Sequence, residues 1–170
     1  MPFGSSYHAP VMVEEVMRYL RPEEGGLFLD GTLGGGGHAE ALLERGAEAR
    51  LIAVDRDPEA RAEAAARLSR FGDRVRLVAA NYADAVEAAG IEPGSLSGAL
   101  LDLGISSHQI DELDRGFTFR PGAPLDMRMG KGSEAAPTAA DLLNSLEAEE
   151  LANLFYRYGE EKRSRRLARE

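Results

Sequence analysis

At 170 residues, 44% of them hydrophobic, the chain is long enough for one ordinary core. Its 29 acidic against 20 basic side chains give a formal charge of −9, which excludes nucleic-acid binding through overall basicity and leaves an RNA partner only a local patch. The absence of cysteine rules out a disulfide, a thiolate nucleophile and cysteine-ligated zinc, and no apolar run approaches a membrane span, so a cytoplasmic protein that does not engage a membrane is expected.

Val13, Val16, Met17 and Leu20 recur at helical spacing, so the segment from Val11 to Leu20 reads as an amphipathic helix, ended by Pro22 and Gly25-Gly26. A strand from Leu27 to Asp30 follows, then a run of four glycines, then a helix from about His38 to Arg45. Leu51 to Val54 is a continuous apolar run, as in a parallel strand covered on both faces. Asp57-Pro58 supplies an N-cap and a first-turn proline for an Ala/Arg/Glu-rich helix that stops by Gly72. Val75 to Val78 reads as a third strand, Asn81 as the cap of a short helix through Ala89, and Pro93-Gly94 as a turn. Gly98 to Leu101 reads as a fourth strand ending at Asp102. Strands alternating with helices predict a parallel, doubly wound α/β sheet. From Gly104 to Lys131 the chain is polar and broken by Gly and Pro, the character of a long functional loop. Thr138 caps a further helical segment, and Leu151, Leu154, Phe155 and Tyr158 mark one face of another. Only about four strands are visible and the chain stops inside a charged helix, so a continuation past Glu170 is expected.

The segment Asp30-Gly-Thr-Leu-Gly-Gly-Gly-Gly-His38 carries the chemistry. Glycines after a strand let the backbone turn sharply and approach a ligand, and the helix behind them aims its first amides at that point. Asp55 ends the second strand about twenty residues further on, where doubly wound folds place an acceptor for ribose hydroxyls. Together these predict a nucleotide-type cofactor site, against the plainer reading of a tight turn and a helix-capping acid. A nicotinamide dinucleotide would suit the same pair of features. His8, His38 and His108 lack close ligand spacing, so no metal is expected.

The stretches His8-Ala-Pro-Val11, Asp30 to His38, Ala53-Val-Asp-Arg-Asp-Pro58, Leu101-Asp-Leu-Gly-Ile-Ser-Ser107 with Gln109, Arg115-Gly-Phe-Thr-Phe119, Pro124-Leu-Asp-Met-Arg-Met129 and Tyr158-Gly-Glu-Glu161 cover nearly the whole chain. In these the chain resembles the MraW-type ribosomal RNA small-subunit methyltransferases. That resemblance implies a Rossmann-like S-adenosylmethionine-dependent fold, with methyl transfer to the N4 of a cytidine in 16S ribosomal RNA. It implies small-subunit ribosomal RNA, or the assembling small subunit, as partner. It further implies that Gly36, Gly37 and His38 line the methionine end of the cofactor, with Gly35 also binding cofactor, that Asp55 holds the ribose, that Tyr82 lies against the adenine, and that Asp102 and Gln109 complete the pocket. His38 could otherwise be a solvated first-turn residue, and Tyr82 an ordinary half-buried tyrosine. Residues 1–110 would then form the cofactor-binding domain, and 111–170 a substrate-facing loop and the start of a helical insertion. By itself such a chain is expected to bind cofactor weakly and turn over little or not at all.

The chain departs from common methyltransferase patterns in having Thr32 where the acid-x-Gly-x-Gly-x-Gly loop has its first glycine. It also carries Asp102-Leu-Gly-Ile where many amino-group methyltransferases have an acid or asparagine, Pro-Pro and an aromatic. A cytosine amino group is a poor nucleophile, so the site must hold it close and accept its proton. Asp102 is the nearest candidate acceptor and equally a cofactor ligand, and the catalytic group stays unassigned. In the loop, Phe117 and Phe119 could stack on an unpaired base while Arg115, Arg120 and Arg128 meet phosphate. Alternatively the rings pin the loop and the arginines pair with Asp111, Asp114 and Asp126. From Arg157 to Glu170 six basic residues against three acidic ones leave a local charge of +3, either a solvated helix face or a phosphate contact. A nicotinamide-dependent oxidoreductase and a non-catalytic cofactor-binding fragment are the competing functions.

Overall fold

The computed structural model describes residues 10–130 and 136–170. The described chain divides into two compact units, one running to Gln109 and taking in Met129 and Gly130, the other holding Ile110–Arg128 and residues 136–170.

The first unit opens with helix α1 (Val13–Leu20) and continues with strand β1 (Gly26–Asp30), helix α2 (Gly37–Arg45), strand β2 (Ala49–Asp55) and helix α3 (Pro58–Leu68). Strand β3 (Val75–Ala79), helix α4 (Ala85–Ala89) and strand β4 (Leu96–Leu100) complete the repeat. The four strands are parallel in the order β3-β2-β1-β4. Alternation along the strands divides the core in two. Phe28 and Leu51 pack with Met17, Leu42, Leu43 and Leu68 of α1, α2 and α3, whereas Ile52 and Val54 pack with Ala85 and Ala89 of α4. The sheet is therefore covered on both faces, which is why the middle of β2 is apolar at every position. The doubly wound α/β architecture expected from the alternation is present.

The helix ends follow local chemistry. The Asp57 carboxylate accepts from Glu59 N at 3.0 Å with Pro58 at the first helical position, and Asn81 Oδ1 accepts from Ala83 N at 3.1 Å. The helix expected from Asn81 to Ala89 is split, its first turn tightening into a 3₁₀ turn over Tyr82–Asp84 before α4. Strand β4 begins two residues earlier and ends one residue earlier than Gly98 to Leu101 suggested. Leu101 continues the apolar run but lies half exposed, because the chain leaves the sheet at that point, and Asp102 stands two residues past the strand.

Helix α5 (Ser107–Asp111) leads out of the first unit. In the second unit a 3₁₀ turn at Leu113–Arg115 is followed by irregular chain, then helices α6 (Ala139–Ser145), α7 (Ala148–Gly159) and α8 (Ser164–Leu167). The expected loop thus contains short helical turns. Thr138 and Asp141 form a reciprocal capping box at the start of α6. Leu151 is buried in α7, but Tyr158 is 83% exposed, since the helix ends one residue later and Glu160 turns left-handed at φ 52°. His8 and Ala9, which open the first matching stretch, and Lys131, the end of the expected loop, lie outside the described residues.

Candidate active site

In the order β3-β2-β1-β4 the chain reverses direction of winding between β1 and β4. A crevice outside the carboxyl ends of the strands at such a point is where open α/β sheets bind ligands. A cleft of about 540 Å³ lies there, within the range of small-molecule and cofactor sites.

Its floor is the loop after β1. Asp30 ends the strand almost wholly buried, and its Oδ1 accepts from Thr32 N at 3.0 Å. Gly36 caps α2 in a left-handed conformation, φ 79°, which a Cβ-bearing residue would adopt only under strain. A Cβ on Gly37 would come within 2.8 Å of the Pro10 ring, so this wall of the cleft requires glycine for close approach.

Asp55 fixes that loop across the sheet. Its Oδ2 accepts from Gly34 N at 2.9 Å and its Oδ1 from Asp57 N at 2.8 Å. Both oxygens keep further lone pairs, and the residue lines the cleft only partly buried, so it can still accept from a diol. His38 is not a solvated first-turn residue. It is 8% exposed, and with its proton on Nε2 it donates to Val11 O at 2.8 Å. Its Nδ1 then faces Asp102 Oδ2 at 3.8 Å.

Gly35, Gly37, His38, Asp55, Tyr82, Asp102 and Gln109 all line this one cleft. Gly36 does not, and its place is the helix cap behind the loop. Tyr82 is half exposed there, with Leu103 and Ile105 as an apolar lip. Gln109 is committed within the unit: its Oε1 accepts from Ser106 N at 2.9 Å and its Nε2 donates to Met129 O at 3.2 Å. It braces the loop after β4, a role its position in the sequence does not reveal.

Burial dominates the electrostatics at Asp30, raising its pKa from 3.8 to about 6. The Thr32 amide and His38 oppose this, and the charges of Asp55 and Asp102 add to it. Among the described residues Oδ2 of Asp30 has no hydrogen-bond partner.

A glycine loop, the partly buried carboxylate of Asp55, the half-exposed Tyr82 ring and the buried acid Asp30 are thus gathered around the switch point. The profile of the MraW methylase family matches residues 5–170. The chain belongs to the MraW methylase family. It is 48% identical to the ribosomal RNA small subunit methyltransferase H of Heliobacterium mobile, over 95% of this chain and 52% of that protein. The protein of the same name from Anaeromyxobacter dehalogenans is 52% identical over 95% of this chain and 51% of its own length. The chain therefore spans about half the length of the relatives it matches. Among solved structures, an rRNA methylase from Streptococcus thermophilus aligns with a TM-score of 0.43 at 20% identity, over 52% of this chain and 53% of that one.

For a member of the MraW methylase family, two features of the site escape sequence reasoning. Thr32, singled out only as a departure from a glycine pattern, joins the loops after β1 and β4, its Oγ1 accepting from Asp102 N at 2.7 Å. Asn81, which the sequence marks only as a helix cap, and Ser106, which it marks only as part of a matching stretch, also line the cleft.

In the second unit, Phe119 is fully exposed while Phe117 is half-buried. Arg128 donates to Asp126 at 2.6 Å, which holds the Asp126 carboxyl below its usual range, and Arg120 stands 3.7 Å from Asp111. Arg115 is buried. Arg120 and Arg128 follow the pairing alternative at these two acids, and of the two phenylalanines Phe119 keeps an exposed ring.

Proposed function

We propose that this chain is the cofactor-binding portion of an S-adenosylmethionine-dependent methyltransferase that acts on the N4 of a cytidine in small-subunit ribosomal RNA. The observation that carries the reading is the crevice at the switch point, where Asp55 both holds the glycine loop and keeps lone pairs for a ribose. The residues fit the cofactor. Asp55 accepts from the two ribose hydroxyls, Tyr82 offers a half-exposed ring to the adenine, and the buried floor at Gly37 and His38 takes the methionine end. Residues 1–110 then serve as the cofactor domain, and residues 111–170 as the substrate-facing loop and the beginning of a helical insertion.

When bound, the cofactor supplies an electrophilic methyl group on a sulfonium. The protein's part would be to hold the exocyclic nitrogen close to that methyl group, exclude water and take up the proton the nitrogen loses. Asp102, partly exposed at the cleft beside His38, is the candidate we propose for the last of these. No covalent intermediate is needed, in keeping with a chain without cysteine. Phe119 is an exposed ring of the kind on which an unpaired base stacks.

A base must leave its stack to reach the methyl group, so an RNA presenting the cytidine unpaired should be modified and the same sequence in duplex form should be poor. Nucleoside mass spectrometry of small-subunit RNA after incubation with a full-length version of the protein and S-adenosylmethionine is expected to show N4-methylcytidine, whereas these 170 residues alone should yield little or none. Product found only as 5-methylcytidine, or on protein, would overturn the assignment.

A further inference from the structure

We propose that Thr32 is a positioning residue that closes the crevice by replacing a rung of the sheet with its own hydroxyl. The inference rests on reading the crevice as the S-adenosylmethionine site and adds to it a residue that acts through Asp102.

Asp30 pairs in register with Leu100, and Gly31 N donates to Leu100 O at 3.0 Å. In a parallel ladder the amide two residues along, that of Asp102, would be the next to donate to β1. Beyond Gly31, however, the first chain has turned toward the opposite neighbour, where Leu33 N donates to Val54 O at 3.0 Å. The two loops separate here, which opens the crevice and would leave the Asp102 amide without its ladder partner. The Thr32 hydroxyl fills that place at 2.7 Å.

An oxygen that accepts from Asp102 N still has a proton to give, and Asp30 Oδ1 lies 3.5 Å away, already accepting from Thr32 N at 3.0 Å. Thr32 thus spans from the buried acid at the end of β1 to the first polar residue after β4. That span fixes the backbone from which the Asp102 carboxylate reaches the cleft and the 3.8 Å approach to His38 Nδ1. Glycine at this position would provide the turn but no acceptor, and serine would provide the same acceptor.

The test compares Thr32→Val, Thr32→Ser, Asp102→Ala and the Thr32→Val/Asp102→Ala double variant of the protein. Amide hydrogen exchange at residue 102 is followed without ligand, and affinity for S-adenosylhomocysteine is measured by calorimetry. With melting temperatures confirming folded proteins, Thr32→Val should exchange the Asp102 amide at least about tenfold faster and bind the ligand about tenfold more weakly. Thr32→Ser should restore both to within about twofold. Once Asp102 is alanine, Thr32→Val should change affinity by less than about twofold, because the side chain being positioned is gone. Unchanged affinity in folded Thr32→Val, a serine variant no better than valine, or losses that multiply in the double variant would each overturn the proposal. Failure of the cofactor reading looks different: the unaltered protein itself would take up no S-adenosylhomocysteine, and both conclusions would fall.

Discussion

Replacing Asp55 by alanine is expected to weaken S-adenosylhomocysteine binding by about ten- to a hundredfold, which corresponds to roughly 1.5 to 3 kcal/mol for loss of a charged acceptor of hydroxyl protons. The structure adds a second consequence. The same carboxylate accepts from Gly34 N and Asp57 N, so its removal also unties the glycine loop from the end of β2 and should lower stability by about 1 to 3 kcal/mol. Asparagine is not a mild replacement here. Both oxygens face backbone N–H groups, so one of them must give way to an amide NH₂ set against another donor. Asp55→Asn should therefore bind almost as poorly as Asp55→Ala, and calorimetry on both variants reads the result. Unchanged affinity in a folded alanine variant would remove Asp55 from the site.

Asp30→Asn is expected to change how stability depends on pH. Because burial holds the folded pKa of Asp30 near 6, above the ordinary 3.8, the unfolded chain gives up this proton first as pH rises. Below pH 3.8 both states are protonated and the residue costs nothing. Stability then falls between the two values, and above about pH 6 the full cost is present, about 3 kcal/mol from the difference between 6 and 3.8. Asparagine cannot ionise. The stability of Asp30→Asn relative to the unaltered protein should therefore improve by about 2 kcal/mol from pH 4 to pH 7, followed by denaturant titration at each pH. A constant offset is expected beneath this trend. Exchanging a carboxyl oxygen for an NH₂ group in this buried place alters hydrogen bonding by an amount that does not vary with pH. A difference that stays flat from pH 4 to pH 7 would show that Asp30 ionises normally.

What the sequence disclosed and what it withheld divide along the range of the interactions. The strand ending at Asp30, the glycine loop and the strand ending at Asp55 were legible because glycines, apolar runs and terminal acids signal within a few residues of themselves. Asp57-Pro58 and Thr138 marked helix starts for the same reason. Leu101 misled because an apolar residue after an apolar run reads as more strand, whereas the position at which a chain leaves a sheet is decided by its neighbours. Asp55 was expected as a ligand group, yet its bond to Gly34 crosses 21 residues and has no local signature. The Thr32 bond to Asp102 crosses 70, and the His38 bond to Val11 crosses 27. Gln109 illustrates the same limit, since the sequence places it near the cleft but cannot show its amide spent on Ser106 and Met129. Tyr158 failed differently: helical periodicity assigned it to an inward face, and the helix ended before that face was used.

The crevice between the ends of β1 and β4 is proposed as an S-adenosylmethionine site. Its most direct test is a calorimetric titration of the chain with S-adenosylhomocysteine and, separately, with NAD, each repeated on Asp55→Ala. Saturable binding of S-adenosylhomocysteine at one site, tighter than NAD and weakened at least about tenfold in Asp55→Ala, is the predicted result. Tighter binding of NAD, or S-adenosylhomocysteine binding indifferent to Asp55, would contradict it.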